Sequence, residues 1–351
     1  MSAPELALRR TADVVPVIDM SGYDSDLDTR RAIARRIDEA CRSTGFLVAA
    51  GHGVPEALIA RTERAARAFF DLPTAIKRGY CSRDPAVYRG YFALESNAVA
   101  YSLDNREAAP DLFERFAIGR VSIDPEDPYY SRTDAARNTF APNIWPQEID
   151  DFAAATTAYY RAMEGLAQKL MRLFALALDL DERWFDDKID KHMTSFVIQN
   201  YPDQPTPPRP GQLRAGAHSD YGSLTILKTE DKPGGLEIQG GDGVWRPVVP
   251  VPGTFIINIG DLMAQWTNDR WVSTMHRVVN PPRDRAVGSR RQSLIFFHQP
   301  NYDALVECLP GCGGRDGAKY PPITSGEHLL NKLRKQMSTR DTDVPSARAQ
   351  G

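Results

Sequence analysis

The spacing of apolar residues along this chain changes character near residue 190. Before that point they recur every three or four positions, the period of a helix with one buried face. In DLDTRRAIARRIDEACRSTG (26–45) this places Ile33, Ile37 and Cys41 on one face, and Gly45 is a natural stop. Pro55 opens a second helix that runs to AFFDLP. The longest helix follows Pro146, where Ile149, Phe152, Thr156, Tyr160, Met163, Leu166, Leu170, Leu173 and Ala177 form one stripe. VVPVI (14–18) and FLVAA (46–50) are short strands among these helices.

Beyond residue 193 the apolar residues come in short runs: SFVIQNY, SLTILK, LEIQ, WRPVVPV, TFIINIG, DLMAQW, HRVVN and SLIFFHQ. PGG, GGDG, PG, TND and NPP separate them as turns. Many short strands at close spacing predict a sandwich, jelly roll or barrel. The expected architecture is therefore mainly β with flanking helices. A helical region (1–190) is integral to the fold, a β-core spans 191–335, and 336–351 is a polar tail expected to be disordered.

Composition narrows the classes. With 42% hydrophobic and 25% charged residues the chain reads as an ordinary globular protein. A net charge of −3 offers no basic field for nucleic acid or an anionic membrane. No apolar run reaches the roughly 18 residues of a membrane span, and MSAPELALRRTADVV has no apolar signal core. Cys41, Cys81, Cys308 and Cys312 do not form two ligand pairs for zinc. They read as reduced thiols, which places the chain in the cytoplasm.

Among six histidines only His218 has an aspartate two residues on, Asp220. One intervening residue keeps both side chains near one face of an extended segment. Taken alone this is a weak signal. His276 opens a later strand of the same β-rich region. Two imidazoles and one carboxylate leave about three positions of an octahedral metal open, the ligand set of non-haem Fe(II). In RRQSLIFF (290–297), Arg291 and Ser293 share a strand face, where a guanidinium and a hydroxyl suit a carboxylate.

These segments follow one another as NYP, HSDYGSLTIL, GLEIQ, PGTFIINIGDLMAQWTNDRW, HRVVNPP and RQSLIFF. In that order the chain resembles the isopenicillin N synthase-like group of 2-oxoglutarate/Fe(II) oxygenases, over about residues 14 to 335. The resemblance implies a double-stranded β-helix (jelly-roll) core, with His218, Asp220 and His276 as ligands of Fe(II). It implies that Arg291, Ser293 and Tyr201 hold the distal carboxylate of the co-substrate 2-oxoglutarate. Gln199 stands where the family motif has Asn, and RAVGS lengthens the segment before Arg291, which we read as a surface loop. The implied reaction oxidises a small organic substrate with O2 by hydroxylation, desaturation or cyclisation, releasing succinate and CO2. Asp220 argues against a halogenase. YRGYF and PDLFERFAIG lie on the substrate side of the resemblance, so Arg89, Tyr91 and Phe297 are substrate candidates.

Two other readings compete. An isopenicillin N synthase-like oxidase would use Arg291 and Ser293 for a substrate carboxylate and need no 2-oxoglutarate. A cupin-like binding protein would catalyse nothing, although its usual mark is a broken ligand triad.

Overall fold

The computed structural model describes residues 11–96, 98–100 and 108–337. The strands of its two main sheets are β1 (Val17–Asp19), β2 (Phe46–Ala50), β3 (Gly90–Phe92), β4 (Glu114–Ile118), β5 (Ser195–Tyr201) and β6 (Ala215–His218). They continue with β7 (Leu224–Thr229), β8 (Leu236–Gln239), β9 (Trp245–Pro247), β10 (Phe255–Ile259), β11 (His276–Val278) and β12 (Arg291–His298). The larger sheet runs β1-β2-β10-β7-β12-β5-β4-β3, and the smaller one runs β6-β11-β8-β9. Together they are the two walls of a double-stranded β-helix. Residues 1–190 therefore supply more than helices, since β1 and β2 form one edge of the larger sheet and β3 and β4 the other.

Strand alternation sorts the larger sheet into two faces. Leu294 and Phe296 on β12, Ile198 on β5, Phe116 on β4 and Ile226 on β7 lie in the main hydrophobic core. That core also takes the buried faces of helices α1 (Leu27–Ser43), α2 (Glu56–Phe70) and α3 (Phe152–Ala177). The stripe expected on α3 is buried from Phe152 to Ala177, and Tyr159, Met171 and Phe174 bury a second face. Gly45 ends α1 with φ +65, where a Cβ would run into the Val272 carbonyl.

The other face of the sheet looks into the barrel. Phe46, Val48, Ile256, Leu236 and Ile238 close one part of that interior with a small apolar cluster. The rest is lined by the polar residues of the site.

One predicted strand is a helix. DLMAQW forms α4 (Asp261–Trp266), because Gly260 and Asp261 turn the chain straight after β10. Leu262, Met263 and Trp266 then bury on a helical face, which a six-residue apolar run does not distinguish from a strand. The RAVGS loop is also only half a surface feature: Val287 is exposed, whereas Ala286 and Ser289 are buried. The last helix, α5, spans Ser325–Met337. It thus covers the first two residues of the expected tail, and the remainder lies outside the described residues. Among the described residues, no helix is long and apolar enough to cross a membrane.

A buried ion pair ties the helical layer to β4. Lys77 Nζ donates to Glu114 Oε2 at 2.7 Å, and both side chains are almost fully buried. Tyr91 and Asn200 donate to the same carboxylate at 2.5 and 2.9 Å. Removing one partner of such a pair strands the other charge. Glu114→Ala is expected to cost about 3–5 kcal/mol, read as the shift in a urea unfolding midpoint. A shift no larger than that of a surface carboxylate would show that the pair contributes nothing to stability.

Candidate metal centre and adjoining cationic pocket

The two histidines meet by strand register. His218 ends β6 and His276 opens β11, and the two residues are direct cross-strand partners. Their ring centroids are 4.3 Å apart. Asp220 follows on the loop into β7, and its Oδ1 lies 3.9 Å from His218 Nε2 and 3.7 Å from His276 Nε2. The three ligand atoms lie within 4.8 Å of one another.

Hydrogen bonds settle which atoms are free. His218 Nδ1 lies 2.8 Å from the Gly216 carbonyl, and His276 Nδ1 lies 3.0 Å from the Thr274 carbonyl. A carbonyl only accepts, so each Nδ1 carries a proton and each Nε2 keeps its lone pair. Asp220 Oδ2 accepts from Thr225 at 2.6 Å and from Asn258 at 2.7 Å, leaving Oδ1 to the imidazoles. Burial raises the pKa of Asp220, but the two histidines, Asn258 and Thr225 outweigh it and hold the carboxyl below its usual value. Burial, aided by His276, lowers the pKa of His218. A neutral imidazole beside an ionised carboxylate is the protonation state a metal requires. The donor set, two imidazoles and one carboxylate, fits a divalent ion such as Fe(II).

The loop carrying Asp220 is held by close backbone packing. The Asp261 amide donates to the Asp220 carbonyl at 2.7 Å, and a Cβ on Gly260 would collide with the Gly222 backbone. Asp111, which sequence reasoning missed, is buried and accepts from the Val99 and Gly216 amides at 2.7 and 2.8 Å. It thereby anchors the residue whose carbonyl orients His218. Burial pushes its pKa up to about 6, against the pull of those two amides.

Along β12, Arg291, Ser293 and Phe297 all point into the barrel. Arg291 is 2% exposed, and its Nη1 donates to the Gly234 carbonyl at 3.1 Å. Its Nη2 donates to Thr229 Oγ1, which lies 2.7 Å from Ser293 Oγ. Tyr201 faces Arg291 across the β5–β12 pairing. Its ring centroid is 5.6 Å from the Arg291 guanidinium carbon and 5.9 Å from that of Arg214. The Tyr201 hydroxyl donates to Gln199 at 2.9 Å, so the residue that replaces Asn has a polar contact of its own.

Arg214 is the second unforeseen residue. It is fully buried and donates to the carbonyls of Pro233 and Ser289, each at 2.8 Å. Burial and the neighbouring Arg291 bring its pKa down to about 10. Among the described residues neither guanidinium has a carboxylate within ion-pair distance, and the Nε of each is buried without a partner. Buried cations in this state call for an anion. No sequence signal marks Arg214, because it is a single arginine just before a strand.

The substrate candidates divide. Phe297 is half-buried, faces the interior and pairs with Thr225, the residue that donates to Asp220. Tyr91 is corrected: it pairs with Phe116 on the helix-facing side of the sheet, packs near Phe69, and donates its hydroxyl to Glu114. Arg89 is corrected as well. Its guanidinium lies over Gly119 and donates to the carbonyls of Tyr88 and Thr139 at 2.8 and 2.5 Å. Both therefore serve packing on the far side of the sheet wall.

Residues 193–300 match the family described as the 2OG-Fe(II) oxygenase superfamily. Residues 15–148 match one described as non-haem dioxygenase in morphine synthesis, N-terminal. The chain is 33% identical to the 2-oxoglutarate-Fe(II) type oxidoreductase hxnY of Emericella nidulans over 88% of this chain and 86% of that one. It is 31% identical to a homoarginine-6-hydroxylase of Oryza sativa over 91% and 96%. Among solved structures, a full-length Neurospora crassa protein in complex with alpha-KG superposes with a TM-score of 0.78 at 29% identity, covering 91% of this chain and 95% of that one. A putative 2OG-Fe(II) oxygenase family protein from Caulobacter crescentus gives 0.78 at 30%, covering 92% and 99%.

Proposed function

This chain belongs to the 2OG-Fe(II) oxygenase superfamily, and from that premise we propose which of its residues carry the reaction. The activity is 2-oxoglutarate- and O2-dependent oxidation of a small organic substrate, with Fe(II) as cofactor and 2-oxoglutarate as co-substrate. In our reading His218, Asp220 and His276 hold Fe(II). The observation that carries this is the pattern of free atoms, since every other polar atom of the triad is already tied to the protein. Bound Fe(II) with 2-oxoglutarate supplies O2 activation and the oxidising power, with release of succinate and CO2.

Arg291, Ser293 and Tyr201 bind the distal carboxylate of 2-oxoglutarate, and Arg214 adds a second positive charge behind Tyr201. Thr229 orients both Arg291 and Ser293. Thr225 and Asn258 keep Asp220 ionised and aimed, and Asp111 anchors Gly216, whose carbonyl faces His218 Nδ1. Phe297 lies along the wall near the ligands, where it excludes water and contacts the substrate. Four free thiols support a reducing compartment, and we place the protein in the cytoplasm.

The test is a substrate library incubated with Fe(II), O2 and 2-oxoglutarate. The expected result is succinate formed in step with an oxidised product. A protein that binds Fe(II) and 2-oxoglutarate but forms succinate with no compound would instead support a ligand-binding role.

A further inference from the structure

The barrel interior holds one more cation that the reaction outlined above does not use. Arg115 lies on β4, where it pairs with Phe92 of β3 on one side and Gln199 of β5 on the other. Gln199 in turn pairs with Ser293. Arg115 therefore stands on the same wall as the 2-oxoglutarate residues, two strands or roughly 10 Å from Ser293. Phe113, two residues earlier on the same side, packs edge-on against Tyr201 with ring centroids 6.0 Å apart.

The surroundings of its guanidinium are aromatic. The guanidinium carbon lies 4.8 Å from the ring centroid of Phe92, 4.9 Å from Tyr88 and 5.6 Å from Phe113. Its Nε is buried without an acceptor, and among the described residues no carboxylate lies within ion-pair distance of it. The nearby carboxyl of Asp111 is already committed to the Val99 and Gly216 amides. Three ring faces stabilise a guanidinium, but they neither neutralise its charge nor satisfy its N–H groups.

Resting on the oxygenase reading, we propose that Arg115 determines substrate class by binding the carboxylate of a small organic acid whose apolar body lies along the aromatic residues beside it. A single planar guanidinium matches a single carboxylate through two parallel N–H bonds. The rings strip water from the bound anion. That favours a singly charged carboxylate over a dianionic phosphate, whose second charge would stand unpaired near Asp111. Arg115 on β4 and Phe297 on β12 stand on that one wall with β5 between them, and the substrate's reacting carbon would lie along the surface they flank.

The experiment uses the full chain with Fe(II) and 2-oxoglutarate under anaerobic conditions, followed through the visible charge-transfer band of that complex. Straight-chain and aryl-substituted monocarboxylic acids are titrated beside their primary amides and matched phosphate monoesters. At least one acid is expected to perturb the band saturably, with its amide weaker by at least about tenfold. Arg115→Gln is expected to erase the preference for acid over amide, and Arg115→Lys to keep part of it. A merely structural arginine would not move that preference. The proposal is overturned if no acid perturbs the band, if acid and amide bind alike, if the phosphate ester binds more tightly, or if Arg115→Gln keeps the preference. Failure of the band to form would sink the oxygenase reading itself, and this proposal with it.

Discussion

Replacing His276 with alanine is expected to abolish Fe(II) binding and succinate formation while the chain stays folded. The imidazole offers one free atom, Nε2, 3.7 Å from Asp220 Oδ1. Without it two protein ligands remain. Loss of a residue that merely orients a ligand costs about 10–100-fold in metal affinity, so loss of a ligand is expected to exceed that range. The structural cost is small, because the side chain gives up one hydrogen bond to the Thr274 carbonyl, about 1 kcal/mol. The β11 backbone still pairs with β6 and β8. Anaerobic titration with Fe(II), succinate measurement and a denaturation curve check the three parts separately. Near-native iron affinity or retained succinate production would remove His276 from the ligand set.

The second large effect is expected at Arg291. Its guanidinium is buried and, among the described residues, has no carboxylate within ion-pair distance, so an anion that binds there offsets its desolvation. Arg291→Gln is expected to raise the KM for 2-oxoglutarate by roughly 10²–10³-fold, the equivalent of losing about 3–4 kcal/mol from a buried charge pair. Turnover at saturating co-substrate should fall less, because the lost contact is to the co-substrate's distal carboxylate and would serve binding. Arg291→Lys should lie between the two, since an ammonium keeps the charge but not the fork. Without ligand, Arg291→Met should melt no lower than the wild type, as it removes a desolvated cation. An unchanged KM in Arg291→Gln would sink the carboxylate assignment.

How much was legible beforehand differs from residue to residue. That Arg291 and Ser293 share a face was readable because strand alternation is local. A residue's neighbours two positions away share its face wherever the strand lies. That rule cannot say which face of YRGYF looks inward, and Tyr91 and Arg89, substrate candidates from the resemblance, lie on the helix-facing side. Only the pairing of β3 with β4, and of β4 with β5, fixes that parity. DLMAQW failed for a related reason, since six apolar-rich residues fit a strand or a helical turn equally well.

Asp111 and Arg214 were illegible because each works through backbone groups distant in sequence. Asp111 holds the Gly216 amide, and Arg214 holds the carbonyls of Pro233 and Ser289. Those partners carry no side-chain pattern to search for.

By itself, the sequence determined the helix-rich first half, the strand-rich second half and the order of motifs that marks the family. These depend on residue type and on spacing over a few positions. The tertiary structure alone decided the protonation and aim of each candidate ligand, the second buried guanidinium, the side of the sheet on which each candidate lies, and the aromatic surroundings of Arg115. All of these depend on which backbone atoms and side chains approach from far along the chain, and hydrogen bonding and desolvation act only at that contact range.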